Sequence, residues 1–148
     1  MSSSQMPDFK LEVVRIPVSD VDRSKRFYLG LGWREDADFS VGDHFRVVQL
    51  TPPNSPCSIH FGKGLPPKAA GPVQGTYLVV SDMEAARAAL KARGVNVSEP
   101  YHLDANWAPQ PGPDPDRRTY NTYATFSDPD GNGWVLQEVS TRLPGRTW

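Results

Sequence analysis

The stretch SDVDRSKRFYLGLGW, residues 19–33, decides how the chain folds, because residues 81–95, SDMEAARAALKARGV, say nearly the same thing again. Each copy opens Ser-Asp, a pair that caps a helix by accepting hydrogen bonds from its unpartnered N–H groups. Each then has room for about three helical turns before a glycine, Gly32 or Gly94, at the same place. Glycine suits that end because the backbone there takes a positive φ. A run rich in β-branched residues precedes each copy, LEVVRIPV at 11–18 and GTYLVV at 75–80. An internal repeat fixes architecture before any other feature does. The chain therefore reads as two copies of a strand-then-helix unit.

The bulk properties fit one domain spanning 1–148, a length that supports a real core. Lys and Arg number 16 against 17 Asp and Glu, a formal charge of −1. That balance supplies no field for nucleic acid or a membrane surface, so neither is expected as a partner. Cys57 is the only cysteine, which excludes an internal disulfide and a thiolate metal cluster. No apolar run approaches the roughly 20 residues of a membrane span, and no hydrophobic signal core opens the sequence. The expectation is a soluble, cytoplasmic protein.

Outward from the two helices, strands are expected at 34–40, 44–50 and 57–61, the last two joined by the proline-rich turn TPPNSP. Residues 63–73 read as a linker between a first module, about 10–62, and a second, about 74–140, with a tail at 141–148. In the second module the spacing predicts a weak strand near 96–97, an irregular piece over 98–118 with five prolines, then strands at 121–127 and 134–139 around the turn SDPDGNG. The order is βαβββ twice, and the extra length of the second copy falls in the proline-rich piece. Loops of that length are lids or disordered segments.

Side-chain alternation divides the strands into two faces. Val14, Ile16, Val18, Cys57, Ile59, Phe61, Leu78, Val80, Trp134 and Leu136 form the apolar set expected under the helices, which makes Cys57 a core residue. The opposite face carries Val13, Arg15, Ser58, His60, Tyr77, Val79, Val135, Gln137 and Val139. An apolar concavity with a few convergent polar groups is the shape of a small-molecule site.

The duplicated βαβββ unit, the Ser-Asp helix entries, Phe27-Tyr28 after the first entry and DPDGN before the last strand resemble the vicinal oxygen chelate superfamily. That group includes glyoxalase I, extradiol dioxygenases, fosfomycin-resistance transferases and bleomycin-binding proteins. The resemblance covers about residues 10–140. It implies an α+β fold in which two tandem modules form a cupped, partly open mixed β-sheet barrel with helices outside, and it implies a homodimer. It leaves the reaction open, because the group spans lyases, isomerases, dioxygenases, transferases and binders.

The resemblance also implies positions for a divalent metal, and these fall on Val13, Ser58, Gly75 and Val135. Val and Gly offer no side-chain ligand and Ser is a poor one, so no cofactor is expected there. A displaced metal would have to use His60 and Gln137, with His102 from the long loop as a third ligand. Arg15 is a candidate for binding a carboxylate, phosphate or enolate through its planar fork. Arg15, His60 and Tyr77 together are the candidate acid–base set of an enzyme. Trp107 and Tyr123, with Tyr101 and Tyr120, are candidates for aromatic walls around a flat ligand. The leading expectation is a metal-free pocket in the manner of the bleomycin-resistance branch, holding an amphipathic or aromatic small molecule. The alternative is a glyoxalase-like lyase or isomerase acting on a carbonyl or enolisable substrate.

Overall fold

Both helix entries form as the Ser-Asp signal predicts. In α1 (Val21–Gly30) the Asp20 carboxylate accepts from the Arg23 amide at 3.0 Å, and in α2 (Met83–Ala92) Asp82 accepts from the Ala85 amide at 3.0 Å. Gly32 at φ +86° and Gly94 at φ +80° turn the chain out of each helix. These coordinates come from a computed structural model that describes residues 6–66 and 71–146. The middle of the expected linker and Trp148, expected to reach toward a partner chain, lie outside the described residues.

The strands make two open mixed sheets. The first contains β1 (Val13–Arg15), β2 (Arg34–Val41), β3 (Phe45–Thr51) and β4 (Ser58–Lys63), in the order β1-β4-β3-β2. The second contains β5 (Thr76–Val80), β6 (Tyr101–Leu103), β7 (Pro109–Pro111), β8 (Tyr123–Ser127) and β9 (Gly133–Glu138), in the order β5-β9-β8-β6-β7. In each sheet the strand before the helix lies parallel to the last strand of its half. This is the expected α+β cup of two tandem units, with both sheets unclosed.

The second half departs from a plain repeat. The strand expected near 96–97 does not form; Val95 and Val97 are instead buried in the core. The strand comes later, as β6, inside the stretch read as irregular, and it turns back into β7. Two prolines sit in β7 without breaking it because it is an edge strand. Ala108 and Gly112 bond inward to Asp104 and Pro100, so Pro109 and Pro111 fall on the open side, where no N–H is required. Aspartates hold the turns of this segment. Asp104 accepts from the amides of Asn106 and Ala108, and the fully buried Asp114 accepts from the Arg118 amide and guanidinium.

One core joins the two halves. Tyr28 and Trp33 of the first half meet Trp134 of β9 with ring centroids 6.1 and 5.3 Å apart. The DPDGN turn fastens the same junction: Asn132 donates to the Pro17 carbonyl at 2.8 Å, and Asp130 accepts from the Ser19 amide at 3.0 Å. At the β2 edge of the first sheet, on the helix side, Asp38 accepts from Lys25 of α1 at 2.8 Å and from Arg46 of β3 at 2.9 Å. Among the described residues no helix is long and apolar enough to cross a membrane.

Candidate functional site

Strand pairing sorts the candidate residues into two rows, one on each sheet, since residues directly opposite one another project to the same side. On the first sheet Arg15 stands opposite His60, and His60 opposite Gln49. The adjacent row runs from Val13 to Ser58. Ser58 is buried, with its hydroxyl 2.6 Å from that of Thr51, which in turn bonds Asp36 of β2. Ser58 therefore serves the sheet's own hydrogen bonding. Beyond His60 lie Val47 and Phe39, paired across β3 and β2, with Phe39 58 % exposed.

On the second sheet Val79 pairs with Gln137, Gln137 with Tyr123, and Tyr123 with Tyr101. The rings of Tyr101 and Tyr123 stack with centroids 5.3 Å apart. Tyr77 pairs with Val135 and is 53 % exposed. The Gln137 amide donates to the Tyr120 carbonyl at 3.0 Å, so it holds the long loop against the sheet. Val139, expected on this open face, lies just past β9 and is buried.

The pairing also corrects the equivalence between the halves. The two helix caps, Asp20 and Asp82, correspond as the repeat predicts, but the strands before them are shifted by two residues. Val13 stands opposite Ser58, whereas Val135 stands opposite Tyr77 and not Gly75, which precedes β5. The residue lying where the resemblance implies a ligand is therefore Tyr77.

Those four positions, Val13, Ser58, Tyr77 and Val135, do not fit a divalent ion, since two have no donor and the Ser58 hydroxyl is engaged with Thr51. In the displaced set Gln137 holds Tyr120 and His102 is buried with Nδ1 2.8 Å from the Gly112 carbonyl, while His60 stands opposite Arg15 in the strand register. Among the described residues no three His, Cys, Asp or Glu side chains cluster as a metal site would require.

Electrostatics on the first face favour a neutral imidazole. Burial, and then the neighbouring Arg15 guanidinium, lower the His60 pKa below its ordinary value. Cys57, expected in the core, is only half-buried at the bend before β4, with its thiol pKa raised by desolvation. Position alone misled there: Cys57 is one residue outside the strand, so the alternation that buries Ile59 and Phe61 does not extend to it.

Two clefts adjoin these faces. One of about 850 Å³ lies between the proline turn at 52–56, β5 and the start of α2, and has Tyr77, Arg142 and Arg146 on its walls. Another of about 380 Å³ lies under the β6–β7 turn, between Trp107, Leu103, Tyr120 and Tyr123. Trp107 and Tyr123 both line this second cleft. Trp107 is 78 % exposed with φ +61°, a conformation that a bulky side chain adopts at a cost. Gln49 was missed by sequence reading because it sits in a strand whose alternation was not followed; HFRVVQL places it on the same side as Phe45 and Val47.

The arrangement defines a class: paired open sheets with a continuous core between halves and apolar faces carrying a few polar groups. A sequence profile of the Glyoxalase/Bleomycin resistance protein/Dioxygenase superfamily matches residues 10–136, and the chain belongs to that superfamily. Among solved structures, TnmS3, an antibiotic binding protein from Streptomyces sp. CB03234, is 30% identical, with a TM-score of 0.69 over 92% of this chain and 100% of its own. A glyoxalase/bleomycin resistance protein from the same organism is also 30% identical, with a TM-score of 0.63 over 87% of this chain and 100% of its own. A member of the superfamily from Sphaerobacter thermophilus DSM 20745 is 26% identical, with a TM-score of 0.64 over 88% and 98%. No curated protein matches the chain.

Proposed function

We propose that this protein binds a flat, amphipathic or aromatic small molecule in a pocket that uses no metal. The observation that carries the reading is the cleft lined by Trp107, Tyr120 and Tyr123, backed by the stack of half-buried Tyr101 on buried Tyr123. Aromatic walls with polar groups already engaged take planar rings by stacking and area burial. Val13 and Val135, without donors where a metal would be held, support the same reading, as does likeness to an antibiotic binding protein.

A homodimer belongs to the proposal. Phe39 and Tyr77 leave apolar area exposed on both faces, and all eight residues of edge strand β2 are exposed. Area of that kind is covered by ligand or partner chain. Light scattering on the purified protein measures the mass directly.

Quenching of tryptophan fluorescence by 2-naphthamide, a neutral planar probe, tests the binding reading. Saturable quenching supports it, and no binding by this or other planar aromatic probes overturns it. One observation favours the enzyme reading, namely the neutral His60 beside Arg15, a usable base next to a charge that steadies an enolate. Turnover of a carbonyl substrate that disappears in His60→Ala with the fold intact would establish that alternative.

A further inference from the structure

We propose that Arg118 sets the ligand class of the cleft under the β6–β7 turn: a planar aromatic compound bearing a neutral carbonyl oxygen, which the outer N–H groups of the arginine bind. The inference rests on the small-molecule reading above and names what that site selects.

Arg118 is fixed before any ligand arrives. Its Nε and Nη2 donate to the two carboxylate oxygens of Asp114 at 2.8 and 3.2 Å, and its backbone amide donates to the same carboxylate at 2.9 Å. The Asp114 side chain is wholly buried, whereas that of Arg118 is 59 % exposed and lines the cleft with Trp107, Tyr120 and Tyr123. A guanidinium carries its five N–H donors in one plane. With the Nε edge engaged by Asp114, the Nη1 donors and the outer Nη2 donor have no partner among the described residues. They sit on the edge turned away from the buried carboxylate, where a ligand reaches them.

Neighbouring polar groups of the cleft are committed. Asp104 accepts from the amides of Asn106 and Ala108 and from the Gln110 side chain. Asn121 exchanges two bonds with the Leu103 backbone, and the Thr119 hydroxyl donates to the Thr141 carbonyl. Arg118 is the charged donor left over. Charge then narrows the ligand. Asp114 cancels the arginine, and Asp104 adds a carboxylate to the same wall. An anion would meet net negative charge there, whereas a carbonyl oxygen takes the N–H groups with nothing to repel it. A volume of about 380 Å³ suits a small planar ligand.

The fold has no need of this loop. In the first half β2 turns directly into β3, but in the second β7 and the turn carrying Arg118 are inserted between β6 and β8. Of the four non-glycine residues at positive φ among the described residues, three fall in the insertion: Trp107 at +61°, Arg117 at +55° and Tyr120 at +70°. Backbone held in that way costs stability and clusters where ligands are gripped.

Paired titrations with 2-acetylnaphthalene and 2-isopropenylnaphthalene test the assignment, because the two probes share an outline and differ in C=O against C=CH₂. The wild-type protein is expected to prefer the ketone by about fivefold, as a partly solvated hydrogen bond from a charged donor would give. Arg118→Met should bring the two probes to within about twofold of one another. Equal affinity of the wild-type protein for both overturns the inference and leaves the small-molecule reading standing. A preference that survives in folded Arg118→Met also overturns it. Should that variant not fold, charge decides on the wild-type protein: 2-naphthoate binding no more tightly than 2-naphthamide supports the neutral site, and tighter binding of the naphthoate overturns it. Failure of every probe to bind removes the small-molecule reading and this inference together.

Discussion

The Tyr28 hydroxyl on α1 donates to the Asp128 carboxylate at 2.7 Å, joining residues from opposite halves of the chain in a buried bond. Trp134 donates its indole N–H to the same hydroxyl at 3.0 Å, and Asn132 donates to Asp128 at 2.8 Å. Burial, and then the Asp128 charge, raise the Tyr28 pKa far above its ordinary value, so this tyrosine stays protonated and remains a donor. The DPDGN turn is thereby a clasp between modules. Its residues face α1 and the core, and the open sheet faces lie elsewhere.

Tyr28→Phe tests the clasp. The substitution keeps the ring that packs on Trp33 and Trp134, and it strips Asp128 and the Trp134 indole of one buried partner each. Asp128 keeps its bonds from Asn132 and the turn amides, so the indole N–H is the group left unsatisfied, at a cost of about 1–3 kcal/mol. Urea denaturation should show a loss of that size with an unchanged m-value. A loss under about 0.5 kcal/mol, the range of neutral surface changes, would show that the bond adds nothing.

Trp107 gives a prediction in which stability and binding separate. It is largely exposed and held at φ +61°, so packing does not explain a large aromatic there. Trp107→Gly removes the steric objection to that backbone and should stabilise the protein by about 1 kcal/mol. The same variant should bind 2-naphthamide at least about fivefold more weakly, because one wall of the cleft is gone. Unchanged affinity would remove Trp107 from the site.

Much of this was legible in local signals. The two N-caps, the glycines that end the helices and the alternation of Ile59 and Phe61 are short-range features, and they placed both helices and most strands. What escaped depended on tertiary partners. β6 and β7 lie among prolines, and only the edge position of β7 makes them tolerable, a fact no local pattern carries. The two-residue shift that brings Tyr77 opposite Val135 arises between strand and helix, where Ile16-Pro17-Val18 bridges a longer path than the link from Val80 to Asp82. Gln137 and Ser58 had the right face but prior commitments, to Tyr120 and Thr51, and hydrogen-bond partners of that kind appear only in three dimensions.

Acid should loosen the first sheet from α1. Arg46 and then Lys25 hold the Asp38 carboxyl well below the usual carboxylate range. A folded-state pKa below the unfolded one gives stability that is fully present above about pH 4 and is lost as pH falls through the lowered value. Asp38→Asn should therefore lower the melting temperature at pH 7, and the gap from wild type should narrow as pH drops below about 4. Because the pair is partly solvated, added salt should shrink the same gap at pH 7. A gap independent of pH would mean that Asp38 acts through packing alone.

Metal addition gives the test on which the functional reading turns. The side chains at Val13, Ser58, Tyr77 and Val135 supply no set of ligands, and Gln137 and His102 are bonded to Tyr120 and Gly112. An ion bound only by the folded state raises the melting temperature through mass action. Zn²⁺, Ni²⁺, Mn²⁺ and Fe²⁺ should thus leave the melting temperature of untagged protein unchanged, and 2-naphthamide should bind equally with and without chelator. A stoichiometric metal that is lost in His60→Ala would reverse this. It would mean that His60 holds the ion, and it would make metal-assisted chemistry on a carbonyl substrate the leading reading.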